Sequence, residues 1–279
     1  MSGYDLGEGT YTKRQLTEDE FSTVFNDMFF GKVKRDTSYK FGFFKAIIDS
    51  LDKTDENLIL TYDQLFYRFT EIYWNLVLKY DLRQKAKTTD GKEAAVERTI
   101  KEELDWYEAM PYVSFEVISD EVKIKIVNKV KMKCKMNVVG ALFRDSKDTL
   151  YAFSDKEQYI QINPLAHAFM TKHKKILEKM NYSEWAIYLE KVNEDYDTEN
   201  LSQNLDMIKM KNHMSIFQRI LFEEFEEYRC FYCGKDIKTG EISVDRYALW
   251  SLVCENSGWF WVLECSECKM KNELSEFKY

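Results

Sequence analysis

Apolar residues recur at intervals of three and four over much of the first two hundred positions, the period of helices that bury one face. This pattern predicts core-facing helices over residues 36–51 and 61–80. Thr17 is followed three positions later by Glu20, a capping box, which predicts a helix that continues to about Phe30. Residues 1–16, which precede this signal, are expected to form a flexible lead-in.

The segment 122–138 is ambiguous because apolar residues alternate with lysines, as in a strand. A strand of that length would greatly exceed the usual 3–10 residues. Ser119 is a good helix-starting residue, and Ile126, Val130 and Cys134 fall on one helical face. We therefore predict a helix here. The other predicted helices cover residues 93–110, 163–180, 183–192 and 207–228.

Two short alternating segments, 150–153 and 159–162, predict a small β-hairpin. The polar and acidic stretch 193–204 is typical of a boundary between domains. The predicted fold is therefore mainly α. A helical N-terminal domain with a hairpin (1–195) leads through a connecting acidic segment and long helix (196–228) to a small C-terminal domain (229–279).

The charge and hydropathy of the chain exclude several classes of function. The chain carries a formal net charge of −8, which argues against a dedicated nucleic-acid coat or a binder of anionic membranes. No run of about 18 uncharged apolar residues predicts a membrane span, and the N-terminus lacks the basic start and apolar centre of a signal peptide. We expect a cytoplasmic protein without a membrane partner.

Two Cys-x-x-Cys motifs separated by thirty-one residues predict a zinc site in the C-terminal domain. Each short spacing lets two sulfurs of one tight turn reach the same ion. Four thiolates complete a tetrahedron, so this zinc would be structural and would leave no open position for catalysis. The expected ligands are Cys230, Cys233, Cys265 and Cys268. Cys134 and Cys254 are expected to be buried thiols.

The order of motifs around these cysteines resembles the core of HNH endonucleases, the ββα-metal nucleases. In that family a Cys-x-x-Cys knuckle precedes a strand that ends in Val-Asp-His, and a second Cys-x-x-Cys is followed by Asn on a helix. Here the matching stretches are Val-Asp-Arg-Tyr-Ala-Leu-Trp-Ser (244–251) and Trp-Phe-Trp-Val-Leu-Glu-Cys-Ser-Glu-Cys-Lys (259–269). The resemblance implies a zinc-bound treble-clef domain with a ββα unit.

Three phrases in the N-terminal part also resemble the helical region that precedes HNH cores in a group of bacterial nuclease-like proteins. They are Thr-Ser-Tyr-Lys-Phe-Gly-Phe-Phe-Lys-Ala-Ile (37–47), Ile-Tyr-Trp-Asn-Leu-Val (72–77) and Leu-Arg-Gln (82–84). With them, the likeness extends over most of the chain.

The residues that the family uses for catalysis are replaced. The histidine that activates water falls on Arg246, which stays protonated and cannot accept that proton. The middle asparagine falls on Phe260, and the last metal ligand falls on Lys269, which would repel a cation. Asp245 alone remains as the candidate catalytic residue, and a single carboxylate does not make a magnesium site. Zinc is the predicted cofactor and magnesium is not expected.

Arg246 and Lys269 are candidates for gripping a phosphate without cutting it. Alternatively, Arg246 pairs with Asp245 or Glu267 and fills the vacated pocket. Six lysines between positions 123 and 135 form a second basic patch, which either meets a phosphate backbone or is a solvated helix face. The acidic run 223–227 either opposes DNA on its side of the C-terminal domain or is a solvated helix surface.

We therefore predict a non-catalytic interaction or regulatory relative of HNH nucleases in bacterial or phage nucleic-acid or defence biology. Its expected partner is a protein, such as an active nuclease or a defence complex, and DNA is the alternative partner. A metal-dependent nuclease with rearranged ligands and a DNA-binding module without cleavage are the alternative functions.

Overall fold

The structure is a computed structural model that describes residues 6–31, 36–89, 91–104, 112–195, 215–225, 228–237, 243–248 and 259–276. It is mainly helical, as the sequence predicts, with two small antiparallel sheets. The helices are α1 (Glu18–Phe30), α2 (Tyr39–Ile48), α3 (Tyr62–Leu78), α4 (Ala95–Leu104), α5 (Asp120–Asp145), α6 (Pro164–Lys172), α7 (Lys174–Val192), α8 (Ile216–Phe225) and α9 (Ser266–Glu276). The strands are β1 (Glu8–Gly9), β2 (Ile59–Thr61), β3 (Tyr151–Ser154), β4 (Tyr159–Ile162), β5 (Ser243–Ala248) and β6 (Trp259–Glu264).

The helix α1 begins where the capping box predicts. The Thr17 hydroxyl accepts a hydrogen bond from the backbone N–H of Glu20 (3.3 Å), and the Glu20 carboxylate accepts one from the N–H of Thr17 (2.9 Å). A second capping box, between Thr61 and Gln64, starts α3. Both boxes satisfy backbone donors that have no partner inside the helix.

The helices α1–α7 and the sheet of β1–β4, called the helical body below, share one large hydrophobic core. At its centre α2 packs against α3, α5 and α7. The rings of Phe41, Phe43 and Phe44 on α2 are all buried. Gly42 allows α3 to approach closely, because a Cβ at this position would lie 2.3 Å from Cε2 of Tyr73. Cys134 of α5 is also buried in this core, as predicted. Cys254 lies outside the described residues.

The predicted hairpin is confirmed as β3 and β4, and it forms the centre of a four-stranded antiparallel sheet in the order β1-β3-β4-β2. The expectation of a flexible lead-in is wrong for residues 6–9. Leu6 is buried, and Glu8 and Gly9 pair with Ser154 and Phe153. Strands of two and three residues are too short to show an alternating pattern, so the sequence did not predict β1 or β2.

The ambiguous lysine-rich segment is a helix, as predicted, and it continues to Asp145. The predicted break between residues 180 and 183 is wrong. The chain instead bends at His173, which ends α6 and precedes α7, and α7 then runs unbroken to Val192. Within the predicted helices 93–110 and 207–228, the described parts are α4 and α8; residues 105–110, 207–214 and 226–227 lie outside the described residues.

The helix α8 belongs to two hydrophobic clusters. Its residues Phe217, Ile220 and Leu221 pack into the large core of the helical body. Phe222, on the same helix, packs with residues of the C-terminal unit in a second cluster that contains Cys230, Ile237 and Leu263. The C-terminal unit, which comprises the two cysteine turns, β5, β6 and α9, therefore packs against the helical body through α8. Among the described residues, none of the helices has both the length and the apolar character needed to cross a bilayer.

A four-cysteine candidate metal centre

The first cysteine pair lies on a tight turn held by backbone hydrogen bonds. The N–H of Gly234 donates to the carbonyl of Cys230 (2.8 Å), and the N–H of Cys230 donates to the carbonyl of Lys235 (2.8 Å). Gly234 adopts a φ of +72°, a conformation that side chains with a Cβ rarely take. The N–H of Phe231 donates to the carbonyl of Leu263 on β6 (2.8 Å). This last bond attaches the first turn to the strand that carries the second cysteine pair.

The second pair lies where β6 meets α9. Cys265 follows the strand directly, and Cys268 lies in the first turn of the helix. The N–H of Lys269 donates to the carbonyl of Cys265 (2.9 Å), which closes this turn. The predicted residue Lys269 is therefore adjacent to the metal centre, and its side chain is partly buried.

The four sulfurs converge. All four lie within 4.8 Å of one another, and those of Cys233 and Cys265 are 3.7 Å apart. A tetrahedral site with metal–sulfur bonds of about 2.3 Å has sulfur–sulfur edges of about 3.8 Å. Cys230, Cys233, Cys265 and Cys268 are therefore positioned to bind one metal ion, as the sequence predicts.

The acid–base properties of the cluster fit a cation at its centre. Burial raises the pKa of the Cys230 thiol, but hydrogen bonds from the backbone of Cys265 and Cys233 outweigh this effect and bring the pKa to about 6. Burial and the neighbouring thiols raise the pKa of Cys268 to about 12. Four sulfurs this close cannot all ionise by themselves, because the thiolates repel one another. A divalent ion supplies the charge that lets all four act as thiolate ligands.

The surroundings of the cluster hold its two halves together. Cys230 is fully buried against Phe222, Ile237 and Leu263. On the outside, Lys235 of the first turn forms a 2.8 Å ion pair with Glu267 of α9. The apolar side shields Cys230 from water, whereas Cys233 is exposed, and the ion pair connects the two cysteine turns across the surface.

Asp245, the candidate catalytic residue, lies on β5 and contacts a residue of the first cysteine turn. The hydroxyl of Tyr232 donates a 2.7 Å hydrogen bond to Oδ2 of Asp245. The sequence did not indicate this contact, since no spacing rule connects the middle of a Cys-x-x-Cys motif with a strand thirteen residues later.

The backbone register of the β5–β6 hairpin is well defined. It places Arg246 opposite Trp261 and Tyr247 opposite Phe260. The side chains of Arg246 and Phe260 lie outside the described residues, so the suggested pairing of Arg246 with Asp245 or Glu267 stays a prediction. Glu267 itself pairs with Lys235.

The two histidines of the described residues belong to the helical body. Nε2 of His167 lies 3.0 Å from the carbonyl oxygen of Leu51. His173 packs against Phe169, with ring centroids 4.5 Å apart, and its Nε2 lies 3.7 Å from the carboxylate of Glu18. Both imidazole rings therefore contact residues of the helical body. His213 lies outside the described residues.

The lysine patch on α5 is matched by carboxylates. Lys125 lies 3.2 Å from Glu103, Lys133 lies 3.3 Å from Glu102, and Lys135 lies 2.7 Å from Asp155. The remaining ion pairs join Lys123 to Asp120 (3.5 Å), Lys129 to Glu103, and Lys131 to Asp63. All six lysines thus face acids of their own or neighbouring elements. Lys125, Lys129 and Lys133 are more than a third exposed, so the patch is at least in part a solvated helix face, and the pairing weakens the field that it could present to DNA.

In the acidic run that precedes the C-terminal unit, the side chains of Glu223 and Glu224 are largely buried against the helical body. Glu224 accepts hydrogen bonds from the side chains of Asn75 (2.6 Å), Lys79 (3.0 Å) and Tyr80 (2.6 Å) on and after α3. Glu223 lies 3.8 Å from the same lysine. Lys79 thus compensates part of the charge of these two glutamates, and the expectation that the run opposes DNA stays a prediction. Glu226 and Glu227 lie outside the described residues.

Comparisons of the chain with protein-family models, with curated proteins and with solved structures give no match. The resemblance to HNH cores consequently depends on the order of motifs along the chain. That order is a cysteine turn, an antiparallel hairpin, a second cysteine turn and a helix.

Proposed function

We propose that this chain is a degenerate relative of HNH nucleases that acts through binding a protein partner and does not cleave nucleic acid. The observation that carries the proposal is the state of Asp245. It is the only residue of the family's catalytic set that the chain retains, and its carboxylate is already hydrogen-bonded to Tyr232. The neighbouring position, where the family has a general base, is Arg246, which cannot accept a proton from water.

We infer that the metal of the four-cysteine cluster is zinc and that it completes a treble-clef finger. Soft thiolate ligands in a tetrahedral arrangement select zinc over magnesium or calcium. Because the four cysteines occupy the whole coordination sphere, such an ion would stabilise the finger and supply no activated water. Its role would be to hold β5, β6 and α9 in place.

Two features favour a protein partner over DNA. The lysines of α5 are paired with carboxylates, and two basic residues of the finger are also paired, Lys235 with Glu267 and Arg229 with Asp236. DNA-binding modules instead show a clear cationic excess on one face. Within this proposal, Arg246 and Lys269 form the part of the finger that contacts an acidic group of the partner, in a bacterial or phage defence or nucleic-acid complex.

A plasmid assay tests the absence of catalysis. The purified, metal-loaded chain is incubated with supercoiled plasmid and millimolar Mg²⁺ or Mn²⁺, beside Asp245→Ala and the exposed-site control Asp52→Ala. We expect no nicking above background from any of the three proteins. Nicking by the parent and by Asp52→Ala, but not by Asp245→Ala, would overturn the proposal in favour of a nuclease with rearranged ligands.

A capture experiment tests the binding function. Tagged chain is used to isolate partners from its native host, in parallel with an Arg246→Glu/Lys269→Glu variant and the remote control Lys156→Glu. A defined partner retained by the parent and the control but lost with the double variant supports the proposal. A salt-dependent gel shift with duplex DNA that the double variant also loses would favour the DNA-binding alternative.

A further inference from the structure

A cleft of about 610 Å³ lies between the helical body and the finger. One wall comes from α2, α3 and α7, and the other comes from α8, the first cysteine turn and β6. The residues Asp245 and Lys269 do not line it, so the cleft is separate from the degenerate nuclease site. Cavities of about 300–1,000 Å³ are typical of sites for small molecules and cofactors.

Basic side chains outnumber acidic ones in the lining of the cleft. It contains three carboxylates, from Asp49, Glu178 and Glu224, and six basic side chains. The basic residues are Lys45, Arg68, Lys174, Lys175, Lys179 and Arg229. The chain as a whole carries a formal charge of −8, so a local excess of basic side chains contrasts with the rest of the protein. Low-dielectric walls strengthen the field of such a cluster.

The carboxylates of the lining are already engaged. Asp49 lies 2.5 Å from Lys45 and 2.8 Å from Arg68. Although burial raises the pKa of the Asp49 carboxyl, the charges of Lys45 and Arg68 outweigh burial and lower it. Glu224 is held by donors of α3. Glu178 lies 3.8 Å from Lys45, Glu71 also pairs with Arg68, and Arg229 of the lining pairs with Asp236 at 2.9 Å.

Two lysines at the start of α7 carry the remaining charge. Lys174 and Lys175 are the first two residues of this 19-residue helix, whose first turn contains no acidic residue. No described carboxylate lies within 4.0 Å of either ammonium group. Cations are unfavourable at a helix N-terminus, where the helix dipole is positive, and a bound anion would relieve this repulsion.

We propose that this cleft binds a phosphorylated small molecule of nucleotide size, of the nucleoside polyphosphate class. The ammonium groups of Lys174 and Lys175 would contact the phosphates as point charges. Phe231, on the cysteine turn that forms the opposite wall, offers an aromatic surface to a base. Since Arg229, Phe231 and Gly234 belong to or flank the first cysteine turn, the ligand would connect the finger with the helical body.

Binding to the full, metal-loaded chain tests this proposal. Melting temperature and titration calorimetry are recorded with ATP, with tripolyphosphate, and with sodium chloride at matched ionic strength. We expect ATP at saturating concentration to raise the melting temperature by about 2–5 °C, which sodium chloride does not do. Tripolyphosphate should bind more weakly, because it lacks the base that contacts Phe231.

Charge reversal locates the site. The double substitution Lys174→Glu/Lys175→Glu should weaken ATP binding by at least about tenfold. The control Lys156→Glu, at a lysine whose side chain is 85% exposed and which does not line the cleft, should leave it unchanged. If the double variant fails to fold, Lys175→Glu alone, at an exposed position, should still weaken binding measurably.

Three results would overturn the proposal. They are the absence of binding by either phosphate compound at millimolar concentration, equal ATP binding by the folded charge-reversed variant, and binding of single-stranded oligonucleotide without any binding of ATP. None of these results depends on whether the chain cleaves DNA or captures a protein partner, so the test is independent of the proposed function.

Discussion

The hydroxyl of Tyr232 donates a 2.7 Å hydrogen bond to Oδ2 of Asp245. The donor lies between the two cysteines of the first turn, and the acceptor, the candidate catalytic residue, lies on β5. The four cysteines are positioned to bind a metal ion, and an ion bound there would fix the turn that positions the tyrosine. The candidate structural site therefore helps to occupy the candidate catalytic one.

Removal of this hydroxyl should have a small structural effect. Tyr232 is 38% exposed, so we expect Tyr232→Phe to lower the free energy of unfolding by about 0.5–1 kcal/mol, as measured by urea denaturation. We also expect plasmid incubated with this variant and Mg²⁺ to stay intact. Metal-dependent nicking gained by the variant would show that the tyrosine masks an active carboxylate.

Loss of one cysteine should release the metal and unfold the finger. In Cys265→Ser a hydroxyl replaces one of four thiolate ligands, which weakens the site and removes the ion that organises β5, β6 and α9. Metal content by mass spectrometry and amide exchange in the hairpin are the measurements. The control Cys134→Ala, in the helical body, should retain its metal. Unchanged metal content and hairpin protection in Cys265→Ser would contradict a metal-dependent finger.

Glu97 should make stability depend on pH. Its carboxylate accepts a 3.0 Å hydrogen bond from the N–H of Ala94, but burial raises its pKa from 4.5 to about 7. Between these two values the folded chain holds a proton that the unfolded chain has lost, so this group lowers stability as pH rises through that window. Glu97→Gln, which cannot ionise, should therefore be more stable than the parent at pH 8 by on the order of 2 kcal/mol.

The comparison for this prediction is urea denaturation at about pH 4 and about pH 8, which lie on either side of the window from 4.5 to about 7. At the lower pH the two proteins should differ little, because Glu97 is then mostly protonated in the folded chain. Glu102→Gln, at an exposed position of the same helix, controls for the substitution itself. A constant difference between Glu97→Gln and the parent at both pH values would refute the assignment.

Glu224 should be important for attaching α8 to the helical body. Its replacement in Glu224→Ala leaves the side chains of Lys79 and Tyr80 without their acceptor, which we expect to cost about 2–3 kcal/mol of unfolding free energy. Glu224→Gln retains an acceptor and should lose less. Glu56→Ala, at an exposed turn, should change stability by less than about 0.5 kcal/mol. Equal stability of Glu224→Ala and Glu56→Ala would show that the contact contributes nothing.

Much of the local structure could be predicted because its determinants are close together in the chain. The capping box of Thr17 and Glu20 acts over three residues, and the hairpin of β3 and β4 shows in two short alternating segments. The Cys-x-x-Cys spacing brings two sulfurs to one turn without regard to the rest of the fold. For the lysine-rich segment, length and a helix-starting residue correctly outweighed the alternating pattern.

The sequence by itself thus determined the helical class, the central hairpin and the four cysteines that could share an ion. Only the tertiary structure decided which charges are compensated. Lys131 meets Asp63 across 68 positions, and Glu224 meets Tyr80 across 144. Periodicity and spacing report which way a residue faces within its own element, whereas its partner depends on how distant elements pack. For that reason the sequence did not reveal which acids pair with the lysine patch, nor that Lys79 and Tyr80 contact the acidic run, and the cleft became visible only where the C-terminal unit meets the helical body.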